Sequence, residues 1–90
     1  MPTVSEFWDS RAQNYDAQVG ASYAKAYEMT ADRFKQYLKP TDTVLDFACG
    51  TGVLFPEILK INPYELYGID LSEKMLEAAE KKFNDGRIKL

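Results

Sequence analysis

The sequence contains no histidine. That excludes imidazole-based acid–base chemistry and His-ligated metal sites within these residues. It contains one cysteine, Cys49, which cannot form an internal disulfide and fits a reducing compartment. There is no basic block: the net charge is −3 and the pI about 4.8. A surface that tracks nucleic-acid phosphates is therefore not expected. No apolar run approaches the roughly 18 residues of a membrane span. Met1 to Asp9 carries acids and no apolar h-region, which does not read as a secretory signal. Repeats and low-complexity tracts are also missing. The expectation is a cytoplasmic protein that uses neither membrane nor nucleic acid.

What is present suits a globular domain. Hydrophobic residues make up 46% of the 90, and aromatics 13%. Ninety residues is one domain at most. A chain of this size buries about 60–65% of its unfolded surface, so its core is thin.

Residues 5–19 mix aromatics and charges, and read as a short helical turn followed by an irregular stretch ending at Gly20. Tyr23, Tyr27, Thr30, Phe34 and Leu38 recur at spacings of three and four, which predicts a helix over 22–38. Pro40, Thr41 and Asp42 end it. Thr43 to Phe47 reads as a strand with one acid, Asp46, near its carboxyl end. A tight turn, Ala48-Cys49-Gly50-Thr51-Gly52, leads into a helix over 53–60 with Pro56 in its first turn. Glu65 to Ile69 is a second strand, closed by Asp70. Ser72 is a good N-cap for a helix over 72–83, with Glu73 favoured by the helix dipole. Its apolar stripe is Met75, Leu76, Ala79 and Phe83, and its lysines 81 and 82 read as a solvated face. Arg87 to Leu90 resembles the opening of a third strand. Strands alternating with helices predict an α/β fold with a parallel sheet of two to three strands and flanking helices.

The glycine turn falls at the carboxyl end of the first strand, where open α/β sheets bind ligands. Glycine there permits positive φ and lets a ligand touch the backbone. Asp70 ends the next strand, eighteen residues after Gly52, and faces the same crevice. A carboxylate so placed can accept both hydroxyls of a ribose. A dinucleotide fingerprint would need a third glycine three residues after Gly52, where Phe55 stands. Phe55 would obstruct the close helix–strand approach. Asp46 would repel a pyrophosphate and attract a cationic ligand. No Gly-Lys-Ser/Thr follows the turn, so a P-loop is excluded. A nicotinamide-dinucleotide-binding fragment is thereby disfavoured.

Val44-Leu45-Asp46-Phe47-Ala48-Cys49-Gly50-Thr51-Gly52 resembles the first motif of class I S-adenosylmethionine-dependent methyltransferases. Tyr67-Gly68-Ile69-Asp70-Leu71-Ser72 and Met75-Leu76-Glu77-Ala78-Ala79 resemble the second. Phe7-Trp8-Asp9-Ser10-Arg11-Ala12 with Tyr15-Asp16 is similar to the N-terminal segment of the small-molecule branch that includes quinone-biosynthesis enzymes. The resemblance implies the N-terminal half of a Rossmann-like fold, with a helical segment over 1–40 and the start of the sheet over 41–90. It implies S-adenosylmethionine as cofactor and a small-molecule methyl acceptor. By the same resemblance Asp46 holds the ammonium end of the cofactor, directly or through water. Gly50 and Gly52 admit its methionine and ribose. Asp70 takes the ribose hydroxyls, Leu71 and Met75 lie against the adenine, and Tyr15 reaches the carboxylate. Ala48 stands where the family most often has its first glycine, and is expected to be tolerated if its φ is negative.

Core packing explains Met75 and Leu71 nearly as well as adenine contact. Trp8 reads as a packing aromatic, and Cys49 as a small buried apolar residue. The family's sheet has seven strands, and its acceptor-binding parts follow the third. The resemblance therefore also implies an open, apolar edge on the first strand, suited to self-association. It leaves open a non-catalytic binding or assembly module, and implies no turnover by these 90 residues alone.

Overall fold

The computed structural model describes residues 2–90, and for 19–22 the backbone only. The first helix, α1 (Val4–Asp9), starts at a reciprocal cap. The Thr3 hydroxyl accepts the Glu6 N–H at 3.2 Å, and the Glu6 carboxylate accepts the Thr3 N–H at 3.1 Å. A second helix, α2 (Tyr15–Ser22), occupies the stretch expected to be irregular. It has no apolar stripe for a period to reveal. It is fixed from outside, by contacts of Asp16 with distant residues described below. The third helix, α3 (Ala24–Tyr37), begins two residues later than expected, with Tyr23 as an exposed N-cap. Tyr27, Thr30, Ala31, Phe34 and Leu38 form its covered face.

Strands β1 (Thr43–Phe47), β2 (Glu65–Ile69) and β3 (Ile88–Lys89) form one parallel sheet in the order β1-β2-β3. Val44 lies opposite Leu66, Phe47 opposite Ile69, and Leu66 opposite Ile88. The crossovers are α4 (Phe55–Leu59) and α5 (Glu73–Lys82). Residues 53 and 54 belong to a turn, so α4 is shorter than predicted and Pro56 falls at its second position. Ser72 caps α5, its hydroxyl accepting the Met75 N–H at 3.2 Å.

The core sits between one face of the sheet and helices α3, α4 and α5. Phe55, Ile58, Leu66, Cys49 and Ala79 are buried, with Phe34, Val44, Leu76, Phe83 and Ile88 packed around them. Phe55 is fully buried. Removing such a ring from water contributes roughly 3 kcal/mol. Its ring fills the space where a Cβ on Gly52 or Gly68 would stand, at 2.6 and 2.7 Å. Glycine in the middle of β2 is thus the complement of the phenylalanine in α4. The opposite face of the sheet is bare among the described residues: Leu45, Phe47, Tyr67 and Ile69 are all exposed.

Candidate functional site

Three residues of the turn after β1 have left-handed backbones: Ala48 (φ 59°), Gly50 (φ 59°) and Gly52 (φ 79°). The condition set for Ala48 is therefore not met. Its Cβ is carried in a conformation that costs an L-residue about 1–2 kcal/mol. The turn is held to the end of β2 by two bonds. The Cys49 N–H donates to the Ile69 carbonyl at 2.9 Å, and the Gly50 N–H to Asp70 Oδ2 at 2.7 Å. Asp70 Oδ1 accepts the Ser72 N–H at 2.9 Å. Asp70 therefore braces both the glycine turn and the start of α5. Each carboxylate oxygen retains a lone pair for a further donor.

Above the carboxyl ends of β1 and β2 lies a pocket of about 590 Å³. Six of the eight predicted site residues line it: Tyr15, Ala48, Gly50, Asp70, Leu71 and Met75. Tyr15 comes from the N-terminal segment, and its ring is 3.6 Å from where a Cβ on Gly50 would be. Met75 is both pocket wall and buried core, so its two readings are not exclusive. The other two predicted residues stand back from the lining. A Cβ on Gly52 would meet Phe55 and Phe83 rather than open space, so this glycine serves the turn and the core. Asp46 is half-buried, and its Oδ2 is enclosed with no hydrogen-bond partner among the described residues.

That orphan oxygen sets the electrostatics. Burial, and then the nearby Asp70, push the Asp46 carboxyl up to about 6. Burial and the same two acids push the Cys49 thiol up to about 12, so it is not a nucleophile. Burial, Tyr27, Asp70 and Asp16 push the Tyr15 phenol up to about 12. The crevice disfavours added negative charge, and no lysine or arginine lines it among the described residues. Phe47, Ile69, Trp8 and Val4 give it an apolar wall. Such a site suits a ligand with a flat apolar part, hydroxyls and a positive group. No group of three or more metal-ligating side chains is present among the described residues.

Several contributors were not read from the sequence. Phe47 and Ile69 pair across β1 and β2, and the period-2 alternation from Leu45 could have placed them at the crevice. Thr51, Asp16 and Lys82 carried no local signal, because they meet only through the fold. Lys82, expected in a solvated face, is ion-paired to Asp16 at 2.7 Å.

A parallel α/β sheet with a glycine turn after its first strand and an acid closing its second is a nucleotide-binding architecture. Within that class the chain belongs to the methyltransferase domain family, whose model matches residues 44–90. It is 35% identical over 83 residues to a demethylmenaquinone methyltransferase of Symbiobacterium thermophilum, covering 88% of this chain and 33% of that protein. It is 33% identical over 86 residues to malonyl-[acyl-carrier protein] O-methyltransferase 2 of Coxiella burnetii, covering 79% of this chain and 35% of that one. Among solved structures, the complex of DhpI with SAH superposes with a TM-score of 0.79 at 22% identity, over 92% of this chain and 39% of that one. The chain thus spans about a third of the length of the curated relatives it matches.

Proposed function

We propose that the protein transfers methyl groups from S-adenosylmethionine to a small-molecule acceptor, and that this chain builds its cofactor crevice. The observation that carries the proposal is the convergence of six predicted residues, from three separate stretches of sequence, on one pocket. The residues fit the cofactor. The enclosed, unpartnered Asp46 oxygen calls for a cationic donor, and an ammonium group provides one, directly or through water. Gly50, at φ 59° and with the Tyr15 ring 3.6 Å from where a Cβ would stand, leaves no room for a larger side chain between turn and ring. When bound, S-adenosylmethionine supplies a methyl group already activated on a sulfonium, so the protein's contribution is mainly positioning.

In this arrangement Asp70 offers its spare lone pairs to the ribose hydroxyls while keeping the turn in place. Leu71 and Met75 flank the adenine, and Tyr15 reaches toward the methionine carboxylate. Trp8 and Phe47 exclude water from the apolar wall. A small-molecule acceptor is supported by the name of the demethylmenaquinone methyltransferase above and by a net charge of −3, which disfavours a nucleic-acid surface. No helix among the described residues is long and apolar enough to cross a membrane. A cytoplasmic location is part of the proposal.

Calorimetric titration tests it. S-adenosylhomocysteine should bind and NAD should not, since Phe55 occupies the place of the third dinucleotide glycine. Asp70→Ala should weaken S-adenosylhomocysteine by about 2–3 kcal/mol, the range of charge-assisted hydrogen bonds. Preference for NAD, or unchanged affinity in folded Asp70→Ala, would refute the assignment.

A further inference from the structure

Tyr15 and Asp16 are neighbours, yet only Tyr15 lines the crevice. Asp16 lies in the groove between α1 and α5, behind the glycine turn. There its Oδ1 accepts the Thr51 hydroxyl, and its Oδ2 accepts the Lys82 ammonium at 2.7 Å. Lys82 Nζ also donates to Thr51 Oγ1 at 3.3 Å. Thr51 is 1% exposed and sits between Gly50 and Gly52, so the cluster joins the turn itself to α2 and the end of α5. Burial pushes the Asp16 carboxyl upward, but its hydrogen bonds from Lys82 and Thr51 outweigh this and hold it below the usual range. The other end of α5 is fastened in a similar way. Asp9 accepts the Ser72 hydroxyl and, at 3.2 Å, the Lys74 N–H. The N-terminal segment is thus pinned at both ends of α5, and Tyr15 is carried over Gly50 beside the second pin.

We propose that Asp16, Thr51 and Lys82 form a latch that positions Tyr15 over the glycine turn, making cofactor affinity depend on an ion pair that touches no cofactor atom. The proposal rests on the cofactor assignment above. Asp16 and Lys82 are positioning residues, not binding residues. Their side chains are 48% and 34% exposed, so the pair is modest in strength. A modest pair biases the segment toward its seated position without locking it, and so leaves a path for ligand entry. Whatever binds under Tyr15 then shares the ordering cost with the latch.

The test uses the full chain with Asp16→Asn, Lys82→Met, the double variant and Lys82→Arg. S-adenosylhomocysteine affinity is read by calorimetry, seating of the segment by emission from Trp8, the sole tryptophan, and global stability by urea unfolding. Trp8 packs edge-on to Tyr15 with ring centres 6.2 Å apart, so its emission follows that seating. Each single loss should raise Kd about fivefold and shift Trp8 emission, with the unfolding midpoint little changed. The double variant should be no worse than either single one, and Lys82→Arg should bind within about twofold of wild type. High salt should weaken wild-type binding toward that of the variants and leave the variants unmoved. Wild-type binding with unchanged Kd in folded Asp16→Asn overturns the latch alone. A Kd loss that tracks lost stability and is not rescued by Lys82→Arg also overturns it. Failure of wild type to bind S-adenosylhomocysteine overturns the cofactor assignment and the latch together.

Discussion

The two faces of the sheet are built from alternate residues of the same strands, and both are apolar. One carries Val44, Leu66, Gly68 and Ile88 beneath Phe55 and Ile58. The other carries Leu45, Phe47, Tyr67 and Ile69, and Phe47 keeps 77% of its surface exposed while Leu66 keeps none. An antiparallel sheet with one wet face would have shown polar residues on that side. A parallel sheet apolar on both sides is made to be covered twice, and the described helices cover it once. The open face meets the crevice at the carboxyl ends of the strands, where Phe47 and Ile69 become pocket wall. Self-association through the exposed face and the β1 edge, unpaired among the described residues, is therefore part of the proposal for this chain.

The largest effect should come from the covered face. Phe55→Ala removes the ring that packs against Gly52 and Gly68 and lies 5.3 Å from Phe83. It should cost about 3–5 kcal/mol in urea unfolding, enough to unfold much of a thin-cored chain. A loss under about 1 kcal/mol would mean the two faces differ less than the burial pattern indicates.

Asp46 is the acid on the covered side, and it sharpens the comparison through pH. Its folded carboxyl titrates near 6 instead of 3.8, because burial and Asp70 disfavour its charge. A raised acid favours the folded state most below its unfolded value, and that favour is lost as pH rises from about 4 to 6. Asp46→Asn should flatten that part of the stability profile and raise stability at pH 7. In the proposed site binding runs the opposite way, since a ligand ammonium group would need the carboxylate. S-adenosylhomocysteine affinity should fall by up to about tenfold per pH unit below 6, and Asp46→Asn should abolish that dependence. A flat binding profile would remove Asp46 from the site.

Ala48 stands where the covered strand turns into the crevice. Ala48→Gly should raise stability by about 0.5–1 kcal/mol, relieving a left-handed alanine. Thermal unfolding measures it, and destabilisation would show that the methyl contributes packing. The smallest effect belongs to the open face. Leu45→Lys with Phe47→Lys should change unfolding free energy by no more than about 0.5 kcal/mol while reducing the sedimenting mass. A large loss of stability would mean that the face is covered in solution by something integral to folding.

Much of this was legible because it is local. The bounds of β1 and β2 follow from β-branched and apolar runs ended by Pro40, Asp70 and the glycine turn. The cap at Ser72 is a property of its own turn. Helix α2 was not legible, because it lacks an apolar stripe and its fixing partners Thr51 and Lys82 lie 35 and 66 residues from Asp16. For Ala48 the expected negative φ is not found, and Gly52 backs onto Phe55 and Phe83, because backbone angle and what packs behind a residue are set by the fold. Lys82 looked like any solvated lysine until α2 was placed beside it.

The sequence by itself determined the alternation of strands and helices, the parallel sheet, the glycine turn and the acid that closes β2. Each rests on chemistry within a few residues: period, capping, turn propensity and the spacing of one strand end from the next. Only the tertiary structure decided that Asp70 braces Gly50, that Asp46 is left with a buried oxygen and no donor, and that Gly68 exists to admit Phe55. These depend on which atoms meet across the fold, and on how much water is excluded when they do. Hydrogen-bond satisfaction and desolvation are set by that packing, and no local pattern encodes them.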